Sequence, residues 1–255
     1  MPQQYTPQDR ESLLSDVAEM YYLEERSQAE IASTVGVTRS MISRMLKEAR
    51  ERSIVEIRVR RSLQRDHELE SALLQHFGLQ AACVVRFQKA MKDRVLSYIG
   101  KAAAQMLRRY VAPGTIIGLA WGTSVSAAVD AFEAEKPLDV KIVQLVGALG
   151  ARNAQYDGHA LVSRLAEKLG GQAYYLNAPF LCPNPETAES LRRTQSIKDT
   201  LELGRQAQMA LLGIGSSVPQ YSSYHLAGYV STREQNKLQR EGAAGDVCGL
   251  HFNVQ

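Results

Sequence analysis

The sequence is poor in the residues that build disulfide-stabilised and metal-binding proteins. Its three cysteines, Cys83, Cys182 and Cys248, stand far apart, and no Cys-x-x-Cys pair occurs. The five histidines are scattered and show no metal-ligand spacing. An odd cysteine count without pairing argues against a disulfide scaffold and fits a reducing cytoplasm. We therefore expect a cytoplasmic protein with neither a metal nor a cofactor.

Long apolar runs are also missing. No segment approaches the roughly 18–20 residues that a membrane span requires, and the polar start, Met1 to Arg10, lacks the apolar stretch of a signal peptide. The chain has 255 residues, of which 45% are hydrophobic and 22% charged. These values suit two ordinary globular domains and no membrane partner.

Charge is distributed unevenly along the chain, although the whole carries only +3. Residues 1–36 hold two bases and seven acids, whereas residues 37–61 hold eight bases and three acids. A local basic block in a near-neutral protein is typical of an element that contacts DNA. We place a DNA-binding domain at residues 1–61 and a second domain at residues 62–255.

The segment from Ser27 to Arg52 has the pattern of a helix-turn-helix. Ser27 and Glu30 have the spacing of a capping box, Gly36 suits a left-handed turn, and Thr38 is a good N-cap for a second helix. The second helix has two faces. The apolar face comprises Met41, Ile42, Met45, Leu46 and Ala49, and the outer face comprises Arg39, Ser40, Ser43, Arg44 and Lys47.

The outer face has the chemistry of a recognition helix for double-stranded operator DNA. Arginine can bind guanine through two hydrogen bonds, and serine can contact bases or phosphates. A supporting helix is expected at residues 9–24, and the alternation over residues 53–59 predicts a strand that forms a short wing. The alternative is an ordinary helical hairpin with a solvated basic face.

From about residue 81 the pattern alternates between strands and helices. This alternation predicts a three-layer α/β domain with a mainly parallel sheet, preceded by an all-α winged helix-turn-helix domain. The expected strands are 81–87, 115–119, 140–146, 172–176 and 209–214, and the expected helices are 64–77, 93–110, 124–132 and 157–169.

A glycine-rich turn after the strand at 115–119 is a candidate anion site. Gly122, Thr123 and Ser124 lead from the strand into a helix, where exposed N–H groups, hydroxyls and the positive helix end suit a phosphate. The alternative is a plain helix start without a ligand.

Six other residues are candidates for the same site. Arg152 can pair with a phosphate or be a solvated loop cation, and Asp157 can accept from ligand hydroxyls or cap the following helix. Gly215 and Ser216 can line a pocket or form a plain turn, and Asp246 can serve the pocket or only a turn. The full candidate set for this site is Gly122, Thr123, Ser124, Gln144, Arg152, Asp157, Gly215, Ser216 and Asp246.

Motifs along nearly the whole chain resemble those of the SorC family of sugar-responsive regulators. The N-terminal motifs are Gln28-Ala29-Glu30-Ile31-Ala32 and Thr38-Arg39-Ser40-Met41-Ile42-Ser43-Arg44-Met45-Leu46. The others are Gly118-Leu119-Ala120-Trp121-Gly122-Thr123-Ser124, Val143-Gln144-Leu145-Val146-Gly147, Leu176-Asn177-Ala178-Pro179, Gly213-Ile214-Gly215-Ser216 and Gly242-Ala243-Ala244-Gly245-Asp246.

The resemblance implies a homo-oligomer, either dimer or tetramer, that represses or activates transcription. It implies a sugar phosphate held by the Gly118–Ser124 motif, in a domain similar in fold to sugar-phosphate isomerases and deaminases. Family members continue several tens of residues beyond the Gly-Ala-x-Gly-Asp segment, to a Gly-Gly-x-x-Lys turn whose lysine helps to hold the effector. This sequence ends at Gln255.

Three functions therefore stay open. The first is a DNA-binding regulator modulated by a phosphorylated sugar, without catalytic residues. The second is a ligand-blind DNA-binding protein whose α/β domain only forms oligomers. The third is a sugar-phosphate enzyme, for which Asp157 and His159 are the only nearby acid–base pair.

Overall fold

The computed structural model describes residues 7–57, 63–87, 94–150 and 155–254. The chain divides into two compact units, Met1–Ser62 and Leu63–Gln255, which are described separately.

The first unit is a three-helix domain. Its helices are α1 (Pro7–Tyr22), α2 (Gln28–Val35) and α3 (Arg39–Glu51), so the three predicted helices are confirmed. Their apolar stripes meet in one small core. This core consists of Leu14, Val17, Ala18, Ile31, Ala32, Ile42, Met45, Leu46 and Ala49. Met41 was predicted to join it, but its side chain is 44% exposed, because it lies at the edge of the buried stripe.

Local hydrogen bonds fix the turn between α2 and α3. Ser27 accepts from the N–H of Glu30, and the Ser27 N–H donates to the Glu30 carboxylate at 2.8 Å, which completes the capping box. Gly36 has φ 73° and ψ 33°, a left-handed conformation that glycine adopts without strain. Thr38 then accepts from the N–H of Met41 at 3.3 Å and starts α3. The orientation of α3 is therefore set by residues in and beside this turn.

The wing predicted at residues 53–59 is not seen as a strand in its described part. Residues 53–57 form a turn and irregular chain, and Ile54 and Val55 pack against the three-helix core. The backbone N–H groups of Ile54 and Val55 both donate to the carbonyl of Ala49. These bonds tie the segment to the end of α3, which accounts for its departure from a strand. Residues 58 and 59 lie outside the described residues.

The second unit begins with α4 (His67–Phe77), whose Glu70 forms an ion pair with a residue before the helix and a hydrogen bond with the chain after it. Glu70 accepts from Arg65 at 2.7 and 2.8 Å and from the Val84 N–H at 2.9 Å. The Arg65 guanidinium lowers the pKa of Glu70 from 4.5 to about 2. Since the folded-state pKa is lowered, this stabilisation is present at neutral pH and is lost as the pH falls from 4.5 toward 2.

The strand predicted at 81–87 is not part of a sheet. Its only pairing among the described residues is an isolated bridge between Val85 and Arg65. Side-chain and backbone bonds from α4 and the residues before it occupy the groups that a neighbouring strand would use.

A four-stranded parallel sheet forms the centre of the second unit, with strand order β3-β2-β1-β4. The strands are β1 (Ile116–Leu119), β2 (Lys141–Gln144), β3 (Gln172–Tyr174) and β4 (Met209–Leu211). The helices are α5 (Val95–Tyr110), α6 (Thr123–Ala131), α7 (Gly158–Leu169), α8 (Pro185–Arg193) and α9 (Gln195–Arg205). The helices α5, α6 and α7 share one apolar core with the sheet, whereas α9 contacts β1 and β2 without joining that core. The right-handed rule for parallel crossovers accordingly puts α6 and α7 on one face and α9 on the other, which gives three layers.

The core of this unit lies between the sheet and the layer of α5, α6 and α7. Each of the four residues of β1 is buried, as expected for a central parallel strand covered on both faces. The largest fully buried side chains here are Ile117, Leu119, Ile142, Leu161, Leu165 and Leu169.

A second, antiparallel sheet follows, with strand order β5-β6-β7. Sequence patterns did not predict it. The strand expected at 209–214 is divided, because β4 ends at Leu211 and Ile214 starts a strand that pairs elsewhere. The strands are β5 (Ile214–Ser216), β6 (Gly245–Val247) and β7 (Leu250–Phe252). A 3-10 turn (Pro219–Tyr221), α10 (Ser223–Leu226) and α11 (Thr232–Arg240) lie between β5 and β6.

Gly100 allows α5 and α6 to approach closely, and this gives a stability prediction. A Cβ at Gly100 would overlap the backbone carbonyl of Ala127, which cannot rotate away. We expect Gly100→Ala to lower the free energy of unfolding by about 1–3 kcal/mol, as measured by urea denaturation.

Gly204→Ala in α9 is the matched control. Its Cβ would meet only the flexible end of Leu145, at 3.2 Å, so the higher helix propensity of alanine should leave stability equal or raised. Equal effects of the two substitutions would contradict the close packing of α5 on α6.

Candidate functional site

The outer face of α3 is a solvent-exposed basic surface. All five predicted contact residues, Arg39, Ser40, Ser43, Arg44 and Lys47, are exposed. Arg39 and Arg44 form no ion pair with any other described residue, whereas Lys47 lies 3.5 Å from Glu51. The two arginines are therefore available to an external partner.

Glu48, the acidic residue nearest the middle of α3, is paired with two arginines. Glu48 accepts from Arg10 of α1 at 2.7 Å and lies 2.9 Å from Arg52. The hydrogen bond from Arg10 lowers the pKa of Glu48, with a further contribution from Arg52. Since its charge is paired, Glu48 leaves the outer face of α3 electropositive.

The second unit has a cleft of 270 Å³ at the carboxyl ends of β1 and β4. Ligands of open parallel sheets bind at this edge. The cleft brings together six of the nine predicted effector residues, Gly122, Thr123, Ser124, Gly215, Ser216 and Asp246. Leu96, Ile99, Ala120, Trp121, Gly213, Ile214, Tyr221, Ser223, Tyr224 and Cys248 complete its lining.

At one end of the cleft, α6 presents an uncapped N-terminus. Gly122 has φ 132° and ψ 166°, a conformation that is essentially restricted to glycine, and it provides no side-chain cap. Its own N–H donates to the carbonyl of Tyr156 at 3.2 Å. The N–H groups of Thr123 and Ser124 have no acceptor among the described residues. This end therefore offers backbone donors, a hydroxyl and the positive end of a helix to an anion.

At the other end, Asp246 of β6 is almost fully buried, at 6% exposure. The Tyr224 hydroxyl and the Gly249 N–H lie close to its carboxylate, and His251 is its cross-strand partner. Burial raises the pKa of Asp246, whereas His251, Tyr224 and Gly249 act in the opposite direction. A Cβ at Gly215 would overlap its carboxylate, so the glycine makes room for the acid.

Gln144 and Asp157 are not brought into this cleft, because the fold uses their polar atoms. The Gln144 amide donates to the Val146 carbonyl at 2.8 Å and accepts from the Leu176 N–H at 3.3 Å. Asp157 caps α7 by accepting from the His159 N–H at 2.9 Å, and it also accepts from the Leu149 N–H. Arg152 lies outside the described residues.

The proposed acid–base pair of an enzyme is not formed. The Asp157 carboxylate contacts the backbone of His159, whose ring stacks instead on Tyr175 with centroids 3.9 Å apart. Among the described residues, no group of acids, histidines or cysteines could hold a metal ion.

Aromatic residues form part of the wall of the cleft. Trp121, which belongs to the glycine-rich motif, packs edge-on against Phe180 and Tyr224 with ring centroids 5.4 Å apart in both cases. Its indole Nε1 is buried without an acceptor in the described part of the chain. Tyr224 was missed because the segment around it has no motif.

No helix in the described part of the chain is both long and apolar enough to cross a membrane.

Two family models match the two units. The model described as "Putative sugar-binding domain" matches residues 61–255, and the model of sigma-70 region 4, a helix-turn-helix, matches residues 14–52.

Curated relatives cover nearly the whole chain. The sorbitol operon regulator of Klebsiella pneumoniae is 29% identical over 245 residues, which are 95% of this chain and 77% of the relative. The deoxyribonucleoside regulator of Bacillus subtilis is 26% identical over 247 residues, which are 97% of this chain and 78% of the relative. The crystal structure of the full-length Klebsiella regulator SorC matches with a TM-score of 0.68 and 30% identity, over 95% of this chain and 79% of that chain.

The position of Asp157 predicts a structural role that can be measured. Loss of its carboxylate would leave the N–H groups of Leu149 and His159 without their acceptor. We expect Asp157→Ala to lower the free energy of unfolding by about 1–3 kcal/mol in urea denaturation.

Asp199→Ala is the control, since Asp199 is exposed and its one acceptor bond within the described part of the chain comes from Gln195 of its own helix. An Asp157→Ala protein as stable as Asp199→Ala would show that the cap contributes little.

Proposed function

Because the chain belongs to the SorC family of transcriptional regulators, we propose that α3 binds operator DNA and that a phosphorylated sugar in the cleft modulates this binding. The proposal rests on one combination of features. The chain has a recognition face whose Arg39 and Arg44 form no ion pair among the described residues, and it also has an uncapped helix end in a cleft. The sorbitol and deoxyribonucleoside regulators to which the chain is similar are named as regulators, not as enzymes. The cytoplasm is the compartment we propose.

The first unit supports the DNA-binding part of the proposal. The buried face of α3 packs in the three-helix core and Thr38 caps its start, so the opposite face is presented to solvent. Arg39 and Arg44 then reach base edges in the major groove, and Lys47 contacts a phosphate.

The cleft supports the effector part. The N-terminus of α6 suits a phosphate, while buried Asp246 can accept hydrogen bonds from sugar hydroxyls. Two relatives are named for sorbitol and deoxyribonucleosides, which are both hydroxyl-bearing compounds. A polyhydroxylated phosphate satisfies both ends of the cleft.

Coupling between the sites requires two states of a homo-oligomer, which we propose to be a dimer or tetramer. The effector shifts the balance between a DNA-binding geometry and a non-binding one. This shift cannot exceed the difference between the affinities of the effector for the two states.

The recognition face gives a prediction about DNA binding. An operator is first selected with the wild-type protein from a random duplex pool. We expect Arg39→Ala and Arg44→Ala each to weaken binding to it by about 1–3 kcal/mol in fluorescence anisotropy, because each removes a base contact. Lys47→Ala should instead reduce the slope of log affinity against log salt by about one, with sequence preference retained.

Arg193→Ala serves as the charge-matched control, because Arg193 is paired with Glu189 on α8 of the second unit. Unchanged affinity in both the Arg39 and Arg44 variants would show that another surface reads the DNA.

The α6 N-terminus gives a prediction about effector binding. A phosphorylated sugar at about 100 times its dissociation constant should stabilise the protein by roughly 2.7 kcal/mol in a thermal-shift assay. Its unphosphorylated parent should give no shift. Ser124→Ala should weaken the response, because it removes a hydroxyl from the phosphate end.

Ser196→Ala is matched in position, as the second residue of α9, another helix without a side-chain cap. It should leave the response intact. Operator binding that is insensitive to every sugar phosphate would favour the ligand-blind regulator.

A further inference from the structure

The cleft has an unusual charge balance for a site that takes a phosphate. Among the described residues that line it, Asp246 is the only one with a charged side chain, and no lysine or arginine is present. The α6 end offers only neutral donors, from Thr123, Ser124 and the backbone. These donors and the helix dipole suit one anionic group at that end.

The chain that leaves β4 and enters β5 runs from one end of the cleft to the other. A Cβ at Gly213 would lie 2.9 Å from the Ser124 hydroxyl, so Gly213 marks the anion end. Gly215 packs against Asp246 and marks the acid end. Two residues of extended chain span roughly 7 Å, which sets the scale for a ligand that contacts both ends.

A second anion at the acid end would lie against the Asp246 carboxylate. This carboxylate is 6% exposed, so water screens it poorly, and its partners are the neutral Tyr224 hydroxyl and the Gly249 N–H. His251, across the strand pair, is exposed to solvent. Like charges in such a setting repel strongly, whereas hydroxyl groups can donate to the acid.

We propose that the effector carries a single phosphate, bound at the α6 end, and that its far end bears hydroxyl groups, so that sugar bisphosphates and phosphorylated sugar acids are rejected. The inference rests on the proposed function. Asp246 then selects among phosphorylated sugars by charge.

Matched ligand pairs test the proposal on the full chain. The pairs are fructose 6-phosphate with fructose 1,6-bisphosphate, glucose 6-phosphate with glucose 1,6-bisphosphate, and glucitol 6-phosphate with 6-phosphogluconate. Inorganic phosphate tests the α6 end alone. Affinities come from isothermal titration at neutral pH and constant ionic strength. Wherever at least one compound of a pair binds, the second compound should bind at least about tenfold more weakly than the first.

The substitution Asp246→Asn separates charge from shape. Asparagine keeps an acceptor for Tyr224 and Gly249 but removes the negative charge. The difference in affinity between the two compounds of a pair should therefore shrink several-fold. Asp199→Asn removes one charge from an exposed site on α9 and should leave the difference unchanged. Melting without ligand verifies that both variants are folded.

The outcomes distinguish the inference from the proposed function. If neither inorganic phosphate nor any sugar phosphate binds, the proposed function fails, and the inference fails with it. A bisphosphate or 6-phosphogluconate that binds as tightly as its partner overturns the inference alone. So does binding of inorganic phosphate without binding of any monophosphate, or a folded Asp246→Asn protein with an unchanged difference.

Discussion

The second unit depends on the parallel pairing of β1 with a strand on each side. Leu119 is in register with Gln144 of β2 and with Leu211 of β4, so the chain leaves three neighbouring strands at the same edge of the sheet. Gly122 and Gly213 follow two of these strands within a few residues. The cleft therefore results from strand pairing, and the glycines supply the room and the backbone conformation that side chains would prevent there.

Local signals in the sequence were sufficient to predict much of the fold. The capping box at Ser27, the left-handed Gly36 and the N-cap at Thr38 form as expected, because each depends on residues a few positions apart. Helical periodicity likewise located α5 to α7. The antiparallel sheet was missed because β5 and β6 are three-residue strands far apart in sequence, and neither has a pattern of its own.

Reasoning from single residues did not identify every member of the candidate site correctly. Gln144 is the last residue of β2, Asp157 precedes α7, and both have suitable chemistry. Their polar atoms are nevertheless hydrogen-bonded to the backbone of Val146, Leu176, Leu149 and His159. Only the tertiary contacts reveal that the hydrogen-bonding groups of these two side chains are already bonded within the fold. Tyr224 is the converse case, since a residue without a motif becomes a partner of Asp246 when the small sheet forms.

Trp121 has a practical meaning beyond its packing. It is the only tryptophan in the chain, and it lies in the wall of the cleft against Phe180 and Tyr224. Indole emission from the unlabelled protein consequently originates from this wall alone, with no contribution from the helix-turn-helix unit. The molecule thus contains a built-in optical reporter of its second unit, which can be followed while DNA is present.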